Sequence, residues 1–175
     1  MKFSLLLSLL SVSWLMAGNL VVSKGSVNAH TEVFGDSTIN PSTESLTSHL
    51  TMNKSIETIK GTINISVQAL KSDNSKRDEH MAEAIESTKY PLATYTFKNV
   101  TKDSGGYKVD GILDFHGVKK PLSIQANITQ KDDKVNFTGK TSFLMSSYGI
   151  KPPTMFFLTV RDQVDIDVDV MFKKR

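Results

Sequence analysis

Along most of this chain, apolar and polar residues trade places with a period of two. In 62–69, Ile63, Ile65, Val67 and Ala69 alternate with Thr62, Asn64, Ser66 and Gln68. In 122–129, Leu122, Ile124, Ala126 and Ile128 alternate with Ser123, Gln125, Asn127 and Thr129. In 164–170, Val164, Ile166, Val168 and Val170 alternate with Asp165, Asp167 and Asp169. That period sends one row toward a core and the other into water. Three carboxylates in one row repel one another and are costly to desolvate, so the Asp row is the wet one. Turn chemistry separates the runs at Gly105-Gly106, at Asp132-Asp133 and at the His116–Pro121 corner, where Gly117 can take a left-handed backbone. The strands so defined are 20–33, 45–55, 57–70, 92–101, 106–116, 119–130, 134–146 and 156–172. They predict an all-β fold of eight antiparallel strands. Eight strands close into a barrel that is either filled by its own side chains or holds one small ligand.

One segment breaks the alternation. In SKRDEHMAEAIE, residues 75–86, Met81 and Ile85 stand one helical turn apart with Ala82 and Ala84 beside them, and Tyr90-Pro91 follows. A short helix is predicted there, with Ser75 as N-cap and Asp78 as the acid of a capping box. Asp78 and Glu79 also sit well against the positive end of a helix dipole. Met81 and Ile85 should face inward, and Arg77 should pair with Asp78 or with a strand carboxylate. The charged run thus serves architecture before chemistry.

The first residues read differently. Lys2 precedes the apolar run Leu5–Met16, and the small residues Ala17 and Gly18 follow it. The run is shorter than the roughly 20 residues a bilayer span needs and has the layout of a secretory signal peptide. The expectation is a cleaved signal over 1–18 and a single exported domain over 19–175, with no integral membrane span after processing. The chain has no cysteine, which removes disulfides, a lipoprotein anchor, thiol catalysis and thiolate metal ligands. Its net charge of +3 is scattered rather than gathered into a basic stripe, so no nucleic-acid partner is expected.

Four histidines, His30, His49, His80 and His116, fall in four different elements without the converging set that a metal needs. No Gly-x-Ser-x-Gly elbow is present. Neither a metal, a catalytic residue nor an enzyme activity is therefore assigned. The inward rows are the remaining candidate site: Tyr95, Phe97, Tyr107, Leu113, Phe115, Phe137, Phe143, Met145, Phe156, Leu158 and Ile166, joined by Met81 and Ile85 from the helix. Aromatic rings and Met145 suit an adaptable, elongated cavity. The same rows also make an ordinary solid core, and periodicity does not separate the two.

Five blocks occur in a telling order: Arg77-Asp78-x-His80-Met81; Tyr90-Pro91 with Phe97; Tyr107-x-Val109-x-Gly111-x-Leu113; Gly117-Val118-x-Lys120-Pro121; and Asp162-x-Val164-x-Ile166. Together they resemble the YceI-like family of exported polyisoprenoid-binding proteins. The resemblance implies a lipocalin-like barrel whose apolar cavity holds an isoprenoid, quinone-like or fatty-acyl lipid. It further implies a periplasmic location, no catalysis and no cofactor. On that footing Arg77 and His80, near the rim, are the candidates to meet a polar head group. The alternative is a non-catalytic exported stress or protein-interaction module with a solid barrel core, and a homodimer is compatible with either. The chain departs from the family over 30–44, HTEVFGDSTINPSTE, where Gly35 stands in place of a longer glycine-marked stretch. If the leader is removed, N-terminal sequencing of the exported protein should begin at Asn19 or Leu20. Recovery of intact Met1 in a membrane fraction would contradict this.

Overall fold

A computed structural model describes residues 17–33, 37–155 and 157–175. Most of the expected signal peptide, and Phe156, therefore lie outside the described residues. Eight strands form the body: β1 (Gly18–Val33), β2 (Leu46–Met52), β3 (Lys60–Ser66), β4 (Leu92–Asp103), β5 (Gly106–Phe115), β6 (Val118–Lys131), β7 (Lys134–Leu144) and β8 (Gln163–Lys174). Each pairs antiparallel with the next, and β8 returns to β1, so the sheet closes into an up-and-down barrel. The closing ladder runs from Leu20 opposite Lys174 to His30 opposite Asp165.

The two-residue period sets the walls. On β7, Val135, Phe137 and Gly139 are buried while Asn136, Thr138 and Lys140 are exposed. Two irregularities shift the period where it would otherwise fail. One lies between Phe97 and Asn99, so that Val100 follows Tyr95 and Phe97 on the inner face. The other lies between Val22 and Lys24 and turns Val27 inward after Leu20. An extra residue in one strand moves every later side chain to the opposite face.

Two predicted strands run too long, and one starts too early. Ile56–Thr58 is a 3-10 turn between β2 and β3, and Val67 has left the β2–β3 ladder to donate its N–H to the Pro91 carbonyl at 2.9 Å. The last strand begins at Gln163, not at 156. Pro152 and Pro153 have no ladder N–H to give. Asp162 accepts from the Ser146 N–H at 2.8 Å and its hydroxyl at 2.5 Å, which ties the Met145–Tyr148 turn to the start of β8. Thr154–Met155 and Leu158–Thr159 form a small hairpin of their own.

The helix α1 (Ser75–Ala84) lies in the β3–β4 connection. Its N-cap is Asn74, not Ser75: the Asn74 Oδ1 accepts from the Arg77 N–H at 3.1 Å. Asp78 is not a capping-box acid either. It is buried, and its Oδ1 accepts from the Ser72 N–H at 2.9 Å and the Ser72 hydroxyl at 2.7 Å. Arg77 pairs with Asp73 at 3.4 Å, one helical turn before it. At the far end Glu86 takes a left-handed backbone, φ 46°, and Ser87 donates back to the Ala82 carbonyl at 2.9 Å, the closing pattern usually made by glycine. Glu86 is held there by His116 at 2.8 Å, whose other ring nitrogen meets the Tyr148 carbonyl at 3.0 Å. Helix end, β5–β6 corner and Met145–Tyr148 turn are thus joined through one imidazole.

Inside the barrel, Gly111 makes room for Tyr95. A methyl at this position would collide with the Tyr95 ring and with the Thr96 carbonyl. Gly111→Ala should cost about 2 kcal/mol or more through overpacking. In a denaturant titration, shrinking Tyr95 to Leu in the same chain should recover part of the loss; strictly additive effects would deny the contact.

Candidate functional site

The inward rows do not meet in the middle. They surround a cavity of about 190 Å3 that reaches from α1 down the barrel. On β8 its lining runs from Val164 to Phe172, about 26 Å of strand at about 3.3 Å per residue. Allowing for a strand tilt of about 40°, the depth along the barrel axis is about 20 Å. A volume this small over that depth describes a narrow channel. Leu20, Leu50, Met52, Val100, Val109 and Val135, all almost fully buried, pack the opposite end.

The wall is built from two aromatic groups. Toward the helix end, Phe115, Phe143 and Tyr148 meet with ring centroids 5.2–5.7 Å apart. Deeper, Tyr95 packs edge-on to Phe97 at 5.2 Å and Phe97 to Phe137 at 6.1 Å. Tilted and edge-on rings fill space without closing it. The Tyr95 hydroxyl lies 3.1 Å from the Val109 carbonyl and 2.9 Å from that of Leu122. Burial pushes its pKa up, so it stays a protonated donor facing backbone. The Thr31 hydroxyl is likewise within 3.0 Å of the Arg161 and Gln163 carbonyls. Among the described residues no buried side-chain nitrogen or oxygen lacks a partner. The cavity therefore offers hydrocarbon contact and no polar group awaiting a ligand.

Ten of the sequence-derived residues line this cavity: Met81, Ile85, Tyr95, Phe97, Leu113, Phe115, Phe137, Phe143, Met145 and Ile166. Two of the others do not enter it in the structure. Tyr107 lies at the start of β5, beyond Val109 and toward the packed end. Leu158 is exposed, because the hairpin carries it off the β8 row. Phe156 falls outside the described residues. The head-group candidates Arg77 and His80 are not part of the lining. Arg77 lies on the stripe of Met81 and Ile85, one turn nearer the helix start, whereas His80 is exposed.

The alternation missed the β1 contribution, because the shift at Val22/Lys24 brings Val27, Ala29 and Thr31 to the wall. It also missed a polar cluster on the adjoining lip. His30 borders the cavity, but its ring contacts the Asn40 Oδ1 at 2.6 Å and the Glu32 Oε1 at 3.3 Å. Arg161 reaches Asp165 at 2.7 Å and Glu32 at 3.7 Å, and Gln163 donates to Asp165 at 2.7 Å. Hydrogen bonds to Asn40 and Glu32 raise the His30 pKa; those from Gln163 and Arg161 lower that of Asp165. No group of three or more His, Asp or Glu side chains among the described residues is placed to hold a metal.

A closed antiparallel eight-stranded barrel around an apolar channel is the class of fold that this chain adopts. The chain belongs to the YceI-like family, whose domain model matches residues 19–172. It is 33% identical over 100 residues to a UPF0312 protein of Shewanella baltica, covering 51% of this chain and 52% of that one. It is 30% identical over 100 residues to Protein YceI of Shigella flexneri, covering 53% and 52%. The matches thus span about half the length of these curated relatives. Among solved structures the fold is similar to that of BcnA of Burkholderia cenocepacia, with a TM-score of 0.72 at 16% identity over 84% of this chain and 95% of that one. It is also similar to a polyisoprenoid-binding domain of Saccharophagus degradans, with a TM-score of 0.64 at 12% identity over 90% and 99%. At these identities the likeness is one of fold.

The lip makes a pH prediction. A histidine whose folded pKa is raised contributes stability that is complete below its unfolded value, near 6.5, and is lost as pH rises through the folded value. His30→Ala should therefore lower the melting temperature more at pH 5.5 than at pH 8.5. The ring is a third exposed, so the difference should stay under about 1 kcal/mol. A larger loss at pH 8.5 would reverse the assignment.

Proposed function

We propose that the protein is an exported carrier that holds one long-chain lipid, of isoprenoid or fatty-acyl type, in the barrel channel without turning it over. The observation that carries this reading is the channel itself: deep, narrow, walled by hydrocarbon and closed at one end. A solid core, as an interaction module would have, leaves no such space. The two ionisable residues that border the channel, His30 and Tyr95, already have hydrogen-bond partners for every polar side-chain atom. The name of the Saccharophagus degradans domain supports an isoprenoid as the ligand. Export to the periplasm is proposed on the Lys2 and Leu5–Met16 pattern alone.

The dimensions narrow the choice of ligand. One extended or methyl-branched chain fits a slender channel; a fused ring system does not. The polar end would then stay at the helix end, near the lip and Arg77. At about 25 cal/mol per Å2, a chain burying several hundred Å2 gains on the order of 10 kcal/mol before the costs of ordering. Met81 and Met145 at the helix end can repack to admit chains of different branching.

Substitution of the wall tests this. A fluorescent long-chain fatty acid or isoprenoid should bind wild type, and Ile166→Asp or Phe143→Asp should weaken it at least tenfold through the buried charge. Leu158→Asp, off the channel, should leave that affinity unchanged. Wild-type affinity in folded Ile166→Asp and Phe143→Asp, with folding checked by circular dichroism, would remove the channel as the binding site.

A further inference from the structure

The large apolar side chains exposed among the described residues are Leu92, Leu144, Phe157 and Leu158, and all four lie at one end of the barrel. Leu92 opens β4 and Leu144 closes β7, on strands separated by β5 and β6. Phe157 and Leu158 belong to the hairpin between β7 and β8, which is rooted beside β1 by the pairing of Val33 with Val160. This is also the end where Phe115, Phe143, Met81 and Met145 border the channel. The opposite end, with its turns at 53–59, 104–105 and 132–133, exposes no large apolar side chain among the described residues and carries Lys54, Glu57, Asp103, Asp132 and Asp133.

The hairpin itself is unusual in chemistry. Turns of this kind normally carry Gly, Asn, Asp or Ser. Here Phe157 is completely exposed and Leu158 beside it is exposed as well. Apolar side chains exposed in this way readily enter soft hydrocarbon.

We propose that this rim docks the barrel on a lipid bilayer, with Phe157 and Leu158 inserted and the helix end of the channel turned toward the membrane. The choice of a bilayer rests on the carrier reading above: a chain that fits the channel resides in membranes, and exposed hydrocarbon beside the helix end of the channel shortens its passage through water. At this end Lys89 pairs with Glu86, Lys119 with Asp114 and Arg161 with Asp165, while Lys71, Lys120 and Lys151 are exposed. Docking through Phe157 and Leu158 is driven by burial, which salt does not screen, and the exposed lysines add attraction to anionic lipid.

Vesicle flotation tests the proposal, using phosphatidylcholine vesicles alone and with phosphatidylglycerol, in low salt and in about 0.5 M NaCl. Wild type should float with both compositions at both salt levels. The double variant Phe157→Ser, Leu158→Ser should lose at least about tenfold in partitioning, while its binding of free fluorescent fatty acid in solution stays unchanged. Wild type that fails to float yet binds the fatty acid overturns the docking and leaves the carrier reading standing. Flotation lost in the variant, from a protein that never binds the fatty acid, upholds docking and removes the carrier. Equal flotation of both forms, or flotation that salt abolishes, overturns insertion of Phe157 and Leu158. Absence of flotation with a wild-type dimer that the variant dissociates, seen by analytical ultracentrifugation, would make the rim a self-association surface instead.

Discussion

Everything in this molecule depends on the ladder that joins the first strand to the last. Pairing of β1 with β8 from Leu20–Lys174 to His30–Asp165 turns an open sheet into a tube. Closure removes the free edges that an open sheet would present to other chains. It also forces the alternating rows to one of two fates, inside or outside. The β8 row of Val164, Ile166, Val168, Val170 and Phe172 faces the interior, and the Asp167 and Asp169 row faces water. A slip of one residue would put those carboxylates inside the tube, so the charge pattern fixes the register as firmly as the apolar one does.

Once the tube is closed, side-chain size decides what remains inside. At one end Leu50, Met52, Val100, Val109 and Val135 fill the section completely. Farther along, Gly111, Gly139, Ala29, Ala93 and Thr141 alternate with Phe and Tyr, and the rings stand edge-on to one another. Small residues next to tilted rings leave a slot rather than a void. Its polar neighbours are already tied to backbone or to each other, which is why the space suits hydrocarbon. The α1 stripe of Met81 and Ile85 then covers the slot from the β3–β4 connection, and the Glu86–His116–Tyr148 bridge holds that cover to the barrel.

Much of this was legible in the residues. Alternation located all eight strands, most of their ends to within a few residues, and the inward aromatic rows with them. It failed where a single residue changes the rule. The irregularities after Val22 and Phe97 have no signature in an alternation count, yet they decide which residues of β1 and β4 reach the wall. Ser75 and Asp78 fit a capping box on paper. Asn74, one position earlier, takes the cap, while Asp78 folds back on Ser72. Leu158 looked like part of the last strand because Met155–Leu158 is apolar, but the prolines before it make that stretch a hairpin. The lip of His30, Glu32, Asn40 and Arg161 joins residues far apart in sequence, so only the closed barrel reveals it. Whether the rows enclose space or meet depends on ring tilt, which no periodicity encodes.

The proposed ligand is one hydrocarbon chain held in the channel. Organic extraction of the protein purified from the cells that make it, followed by quantitative mass spectrometry, addresses that claim directly. The account predicts a single lipid class with an unbranched or methyl-branched chain, at close to one molecule per protein chain. Repeated recovery of no lipid, together with failure to take up added fatty acid or isoprenoid, would contradict it.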